Sequence, residues 1–265
     1  MARSVSGFTL VELILVILLL GIVGTASFSY LGLGAKMYAD AADREALLSS
    51  SRFAVERLSR ELRNVVPNSV RTFTDSGRNC IEFAPLIKAG RYSPGVATGS
   101  ASGTVSLVSP DGWTEVTGYS QPLLMTIYPT DASRDIYGEA RVAESFSFTA
   151  SGTSLTVTYS FNDIPTDSPS QRMYFFSLPV AYCLEGTELY RYQRTALNQP
   201  LTGRMLMAEH LSAAFYGPPR NEQPFQYDNS RVLTRNSVVH LRLAFESAMG
   251  DVLVFNQEIH TPNVP

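Results

Sequence analysis

Gly7-Phe8-Thr9-Leu10-Val11-Glu12-Leu13 opens an apolar run that continues from Ile14 to Val23, and its reading decides how the rest of the chain is organised. Arg3 stands just before it, and from Phe8 to Phe28 a single residue, Glu12, is charged. A bilayer hydrocarbon core of about 30 Å is spanned by roughly 20 apolar residues in a helix, so the run is long enough to cross one. It exceeds the apolar core of a cleaved secretory signal, which is about 7–15 residues. Glu12 demands an explanation, because a carboxylate in mid-membrane costs about 2.5–3.5 kcal/mol on insertion scales. Cleavage between Gly7 and Phe8 would place a new amine four residues before Glu12, about 6 Å along a helix. A helix N-terminus also favours a nearby anion through its unsatisfied N–H groups.

A spacing of three and four then carries the helix outward. Leu48, Ser51, Val55, Leu58 and Leu62 recur at spacings of three and four and give one narrow apolar stripe on a helix running to Asn64. Asp40 with Arg44, Glu56 with Arg60 and Arg57 with Glu61 stand four apart, which laces the outer face with opposite charges. Val65-Val66-Pro67 ends it, since the residue before proline is pushed out of the α region. From Phe8 to Asn64 such a helix measures about 85 Å. The inner half belongs in lipid or a filament core, and the outer half docks a sheet against its stripe. Gly21 and Gly24 read as close-packing positions, and Gly32 and Gly34 as a place for the helix to loosen.

With 265 residues, about 230 remain beyond the anchor for one large domain or two small ones. Net charge of −3 and pI 5.7 exclude a nucleic-acid partner held by bulk electrostatics. The rest reads as β structure, so the fold class is α+β: a long N-terminal helix on a mostly antiparallel, β-rich domain. Val70–Thr74 and Cys80–Phe83 are short strands. Ala89 to Gly118 is a Gly, Ser and Pro-rich loop region holding a strand at Val105–Val108, with Trp113 as a local anchor or a contact residue. Leu123–Tyr128, Ser145–Thr149, Leu155–Phe161 and Met173–Ala181 follow as strands, the second and third joined by the Ala150-Ser151-Gly152-Thr153 turn. Tyr182 to Tyr192 forms a hairpin around Glu185-Gly186. Met205 to Phe215 fits neither period, and Pro218-Pro219 to Pro224 is a loop. The clearest hairpin pairs Val239, Leu241, Leu243 and Phe245, which alternate with polar neighbours, with Val252–Ile259; Pro262 and Pro265 close the chain as a tail.

Cys80 and Cys183 are too few for a zinc site and too distant for a CxxC pair. In an exported domain they most simply form one disulfide; the alternative is two unrelated buried thiols. No catalytic, cofactor-binding or metal-binding constellation emerges. His210, His240 and His260 lack metal-ligand spacing, and His240 belongs to a solvated strand face. Asp131 with Asp135, and Asp163 with Asp167, lack an EF-hand pattern and read as solvated loop carboxylates. Tyr174, Tyr190 and Tyr192 suggest a sugar-binding surface or, more simply, ordinary strand residues.

A basic residue, then Gly7, Phe8, Thr9, Leu10, Val11, Glu12 and Leu13 before an apolar helix resembles the class III leader of type IV pilins and type II secretion pseudopilins. The resemblance implies a non-enzymatic subunit divided into leader 1–7, membrane or filament-core helix 8–30, exported helix 31–64 and β-rich domain 65–265. It further implies cleavage by prepilin peptidase after Gly7, N-methylation of Phe8, and pairing of Glu12 with the terminal amine of a neighbouring subunit. Implied partners are other major and minor pilins, the inner membrane assembly platform and the lipid bilayer. The subunit would be single-pass in the inner membrane with a periplasmic domain, and would reach the surface pilus after assembly. Tyr38-Ala39-Asp40-Ala41-Ala42-Asp43-Arg44, Arg52-Phe53, Glu56-Arg57-Leu58, Arg60-Glu61-Leu62-Arg63-Asn64 and Pro67-Asn68-Ser69 are similar to the MshO-type minor pilins of the mannose-sensitive haemagglutinin (MSHA) system. Many major pilins carry a proline within this helix, and this chain has none before Pro67. Two rivals are a J-like pseudopilin of type II secretion and a periplasmic binding protein or enzyme that uses the run as a plain membrane anchor.

Overall fold

A computed structural model of the chain describes residues 7–92, 102–120, 122–143, 145–161, 167–197, 199–228 and 237–262. Arg3, Asp163 and Pro265 lie outside the described residues, as do 93–101 of the Gly- and Ser-rich region. One helix, α1 (Leu10–Arg63), runs unbroken for 54 residues, through Gly21, Gly24, Gly32 and Gly34. At 1.5 Å per residue it is about 80 Å long. Its large apolar side chains from Leu10 to Val23 are all exposed, and burial against the domain begins only at Leu47. The N-terminal half therefore projects away from the domain as an apolar rod. Arg60 and Arg63 in the last turn complement the carbonyl end of the helix dipole. Asn64 caps that end by donating its N–H to the Glu61 carbonyl at 3.1 Å.

Among the described residues fifteen strands follow, named in chain order. A five-stranded antiparallel sheet has the order β1 (Arg71–Asp75), β2 (Arg78–Phe83), β10 (Val180–Glu185), β11 (Glu188–Arg194), β12 (Leu201–Ala208). A three-stranded sheet contains β13 (Phe225–Asp228), β14 (Ser237–Glu246) and β15 (Val252–Thr261). These two sheets receive the helix. Leu47, Ala54, Val55, Leu58 and Leu62 share one core with Ile81, Phe83, Tyr182, Leu184 and Leu189 of the first sheet and Val239, Leu241, Leu243 and Phe245 of the second. Polar pegs fix the docking at both sides: Arg191 on β11 reaches Glu61 at 3.2 Å, and the Ser59 hydroxyl donates to Gln257 Oε1 on β15 at 2.9 Å. The stripe is broader than its spacing predicts, since Ala54 and Ser59 are buried with it and Leu48 is only partly so. Of the three i,i+4 charge pairs, Arg57–Glu61 closes at 3.2 Å, whereas Asp40–Arg44 and Glu56–Arg60 form no ion pair. Exposed ion pairs repay little of the entropy of ordering two long side chains, so their absence is unsurprising.

A seven-stranded antiparallel sheet completes the domain, in the order β6 (Val142–Ala143), β5 (Leu123–Ile127), β9 (Arg172–Ser177), β3 (Leu86–Tyr92), β4 (Ser102–Val108), β8 (Ser154–Ser160), β7 (Phe146–Ser151). Strand β9 is its hub because both of its faces are buried. Met173 and Phe175 enter one core with Trp113, Leu107 and Val157, while Tyr174 and Phe176 enter another with Val66, Ala84 and Ile136. That second core joins two lobes, the seven-stranded sheet on one side and the helix with its two sheets on the other. The short helices α2 (Thr114–Thr117) and α3 (Ala213–Tyr216) and one π-helical turn (Ala132–Ile136) complete the described elements.

Two strand assignments differ from the sequence reading, and one open stretch is resolved. Met173–Ala181 is two strands rather than one: β9 stops at Ser177 and β10 starts at Val180 in a different sheet, with Pro179, which has no N–H to give a ladder, at the switch. Ala89–Gly118 is not all loop, since it contains most of β3. Its Ala-Gly pair suggests a turn, yet Gly90 lies on a strand because Trp113 needs the space. A Cβ at Gly90 would sit 2.8 Å from Trp113 Cζ2. Met205–Phe215 resolves into the end of β12 and then α3.

Trp113 is the local anchor. It is 2% exposed, stands edge-on to Phe175 at 5.7 Å, and donates its indole N–H to the Thr153 carbonyl at 2.8 Å. Gly90→Ala is accordingly expected to destabilise the domain by about 1–3 kcal/mol through overpacking. Chemical denaturation monitored by tryptophan fluorescence would read this directly, and an unchanged midpoint would show that the ring has room to move.

Candidate functional site

The first turn of α1 is capped by its own threonine. Thr9 is the N-cap, with φ −83° and ψ 146°, and its hydroxyl oxygen accepts the Glu12 N–H at 3.3 Å. Thr9-Leu10-Val11-Glu12 has the spacing of a capping box, in which a threonine cap is followed three residues later by glutamate. That spacing was open to sequence reading, but only its threonine half closes here, and the Glu12 carboxylate does not accept the Thr9 N–H. The helix begins at Leu10, so the Gly7–Phe8 peptide bond lies outside it, in non-helical backbone. Phe8 is 74% exposed, and no heavy atom lies within 4 Å of where a side chain on Gly7 would start. Gly7 and Phe8 therefore lie in exposed, non-helical backbone. Among the described residues the Glu12 carboxylate has no hydrogen bond or ion pair, so an apolar rod carries one unpartnered anion one turn from its start.

Cys80 and Cys183 are directly opposed across β2 and β10 and are bonded, with the sulfurs 2.05 Å apart and a sequence separation of 103. The bond ties the first strands after the helix to the hairpin of β10 and β11. It is buried under Tyr190 and Tyr192, with Phe73 and Leu201 packed alongside. Those two tyrosines therefore roof the disulfide rather than form an open surface, and Tyr174 lies in the core between the lobes. The suggested sugar-binding array does not exist as a shared face.

Asp131 is the exposed loop carboxylate the sequence reading expects, whereas Asp135 differs from it. Asp131 caps the π-helical turn by accepting the Arg134 N–H at 2.9 Å, while Asp135 is fully buried. One Asp135 oxygen accepts the Thr130 N–H at 2.7 Å and the Asp131 N–H at 3.0 Å, and the other accepts from Arg134 Nε at 2.6 Å. Burial by itself raises this carboxyl, but the Arg134 and Thr130 hydrogen bonds and the Arg141 charge outweigh it and hold the group below the usual carboxylate range. Asp135 is thus a structural staple whose lone pairs are committed. His240 lies on a partly exposed strand face with Nδ1 3.6 Å from Glu258. Among the described residues no three of His, Cys, Asp and Glu converge as a metal site.

Sequence reasoning missed Glu82. It is fully buried on β2, takes Arg71 Nη2 at 2.7 Å and is bound by Arg194 from the opposite side. The Arg71 guanidinium also lies 3.6 Å over the Tyr137 ring. Burial, then the neighbouring Glu82 charge, pushes the Tyr137 phenol well above its ordinary value.

Residues 2–28 match the family model described as the prokaryotic N-terminal methylation motif. No curated protein and no solved structure matches the chain. The motif supports a type IV pilin-like or pseudopilin protein processed by prepilin peptidase. The helix that follows it is long and apolar enough to cross a membrane, which is consistent with single-pass anchoring.

Proposed function

We propose that this chain is a minor type IV pilin of the MSHA type, a structural subunit whose work is assembly rather than catalysis. The observation that carries the reading is the methylation motif on an exposed apolar rod: residues 2–28 hold the motif, and the helix stays clear of the domain until Leu47. In this reading prepilin peptidase removes residues 1–7, Phe8 becomes the methylated N-terminus, and residues 8–30 join a bundle of like helices. The β-rich domain 65–265 then sits outside the bundle, at the filament surface or tip.

The chemistry follows from Glu12. Cleavage leaves the Phe8 amine near the first turn, and a neighbouring subunit shifted along the bundle brings that cation to the unpartnered carboxylate. Apolar helix packing supplies lateral contact but is indifferent to axial position. The ion pair fixes the register, because an unpaired charge in that environment is penalised by about 2.5–3.5 kcal/mol. Each 1.4 kcal/mol is tenfold in an equilibrium, so Glu12→Ala should weaken incorporation into filaments by about two orders of magnitude. Membrane insertion should be unchanged, since the substitution makes the run more apolar. Quantifying the variant in sheared filaments and in membranes tests both halves, and normal incorporation would refute the register role. Co-purification with pilin partners rather than secretion components would support the MSHA assignment over the pseudopilin class.

A further inference from the structure

Among the described residues six strands stand at sheet edges, and five of them are guarded against pairing with another chain. β1 carries Arg71 and Asp75; β12 carries Arg204 and two register shifts against β11; β13 is four residues long, with Pro224 before it and Asp228 at its end. β15 carries Glu258 and lies beside α1, and β6 is only two residues long. Charges, bulges, proline, brevity and cover are the devices by which proteins blunt sheet edges. β7 has none of them among the described residues. Phe146-Ser147-Phe148-Thr149-Ala150-Ser151 is six residues long, uncharged and in unbroken register with β8.

A second observation concerns what this edge leaves uncovered. Phe146 and Phe148 point to the core side, opposite the buried Tyr159 and Val157. Phe148 is nevertheless 37% exposed, because the sheet stops beside it. On the other face Ser147 and Thr149 extend the hydroxyl rows of Thr158 with Thr104 and of Thr156 with Ser106. One further strand would cover Phe148 and continue those rows.

We propose that β7 is a self-pairing edge, joining two copies of this chain through an antiparallel β7–β7 ladder about a twofold axis centred on Phe148. The sequence of β7 is self-complementary in that register. Phe148 meets Phe148, Ser147 meets Thr149, Phe146 meets Ala150, and no like charges oppose one another. A twofold interface requires this kind of match, because one patch must recognise itself. Aromatic and hydroxyl cross-strand pairs are the favourable ones on a sheet. The inference stands on the sheet alone and does not rest on the filament reading.

The test uses the full chain in its membrane, with Ser147→Cys and Thr149→Cys made separately and carried on two differently tagged copies. The native cysteines are bonded to each other, so each introduced thiol is the one free thiol of its copy. Mild oxidation should crosslink the two variants when co-expressed, with at least tenfold less product from either variant alone. Ser145→Cys with Ser151→Cys occupies the next register position and should behave alike, which covers failure of one pair to fold. Thr149→Lys should abolish crosslinking through the second pair while leaving protease resistance of the domain intact. Absence of mixed crosslinks in both pairs, product indifferent to register, or capture of a different protein would each overturn self-pairing.

Discussion

Glu82→Ala is expected to destabilise the domain by about 3–5 kcal/mol, the usual cost of removing one partner from a buried charge network. The glutamate is fully buried near the C-terminal end of β2, and the side chains of Arg71 and Arg194 are only 26% and 12% exposed. Deleting the carboxylate leaves two guanidiniums facing each other with little water to replace it. Replacing all three residues together, as Arg71→Met, Glu82→Leu and Arg194→Met, should recover most of the loss, because well-packed apolar residues often match a buried ion network in stability. Urea unfolding of the two variants separates the explanations. A mild effect of Glu82→Ala would mean that the arginines find water or another acceptor.

Removing the disulfide should have a comparable effect through the unfolded chain. A closed loop of about 100 residues is worth about 4–5 kcal/mol in the chain-entropy model. Cys80→Ala with Cys183→Ala should lower the free energy of unfolding by that amount while β2 and β10 stay paired in the folded state, since four residue pairs in register hold them besides the cysteine pair. Reductant added to the folded protein should act slowly, because both cysteines are at most 1% exposed under Tyr190 and Tyr192. A midpoint equal to that of the unaltered chain would show that the bond adds nothing the strands do not supply.

The parts of the fold legible in the sequence are those set by local period. α1 was legible because a spacing of three and four ends at Val66-Pro67, and β14 with β15 because apolar and polar residues alternate up to Gly250. What escaped was set by distant partners. Met173–Ala181 reads as one apolar run because β9 buries both faces, and only Pro179 marks the change of sheet. β3 reads as loop because Gly90 serves Trp113, which is brought beside it only by folding. Glu82 and Asp135 look like ordinary polar positions, since the arginines and backbone N–H groups that make their burial tolerable arrive from other segments or from the turn's own geometry. The candidate site is different in kind. Gly7, Phe8 and Glu12 form a linear motif, so spacing alone carries it.

The central claim is that the chain works without its first seven residues, with a methylated Phe8 amine available to a neighbouring Glu12. Intact-mass and N-terminal fragment mass spectrometry of the chain extracted from its own membrane tests it most directly. The account predicts a polypeptide beginning at Phe8 and bearing one added methyl group on its terminal nitrogen. A functional chain that still begins at Met1 would contradict it.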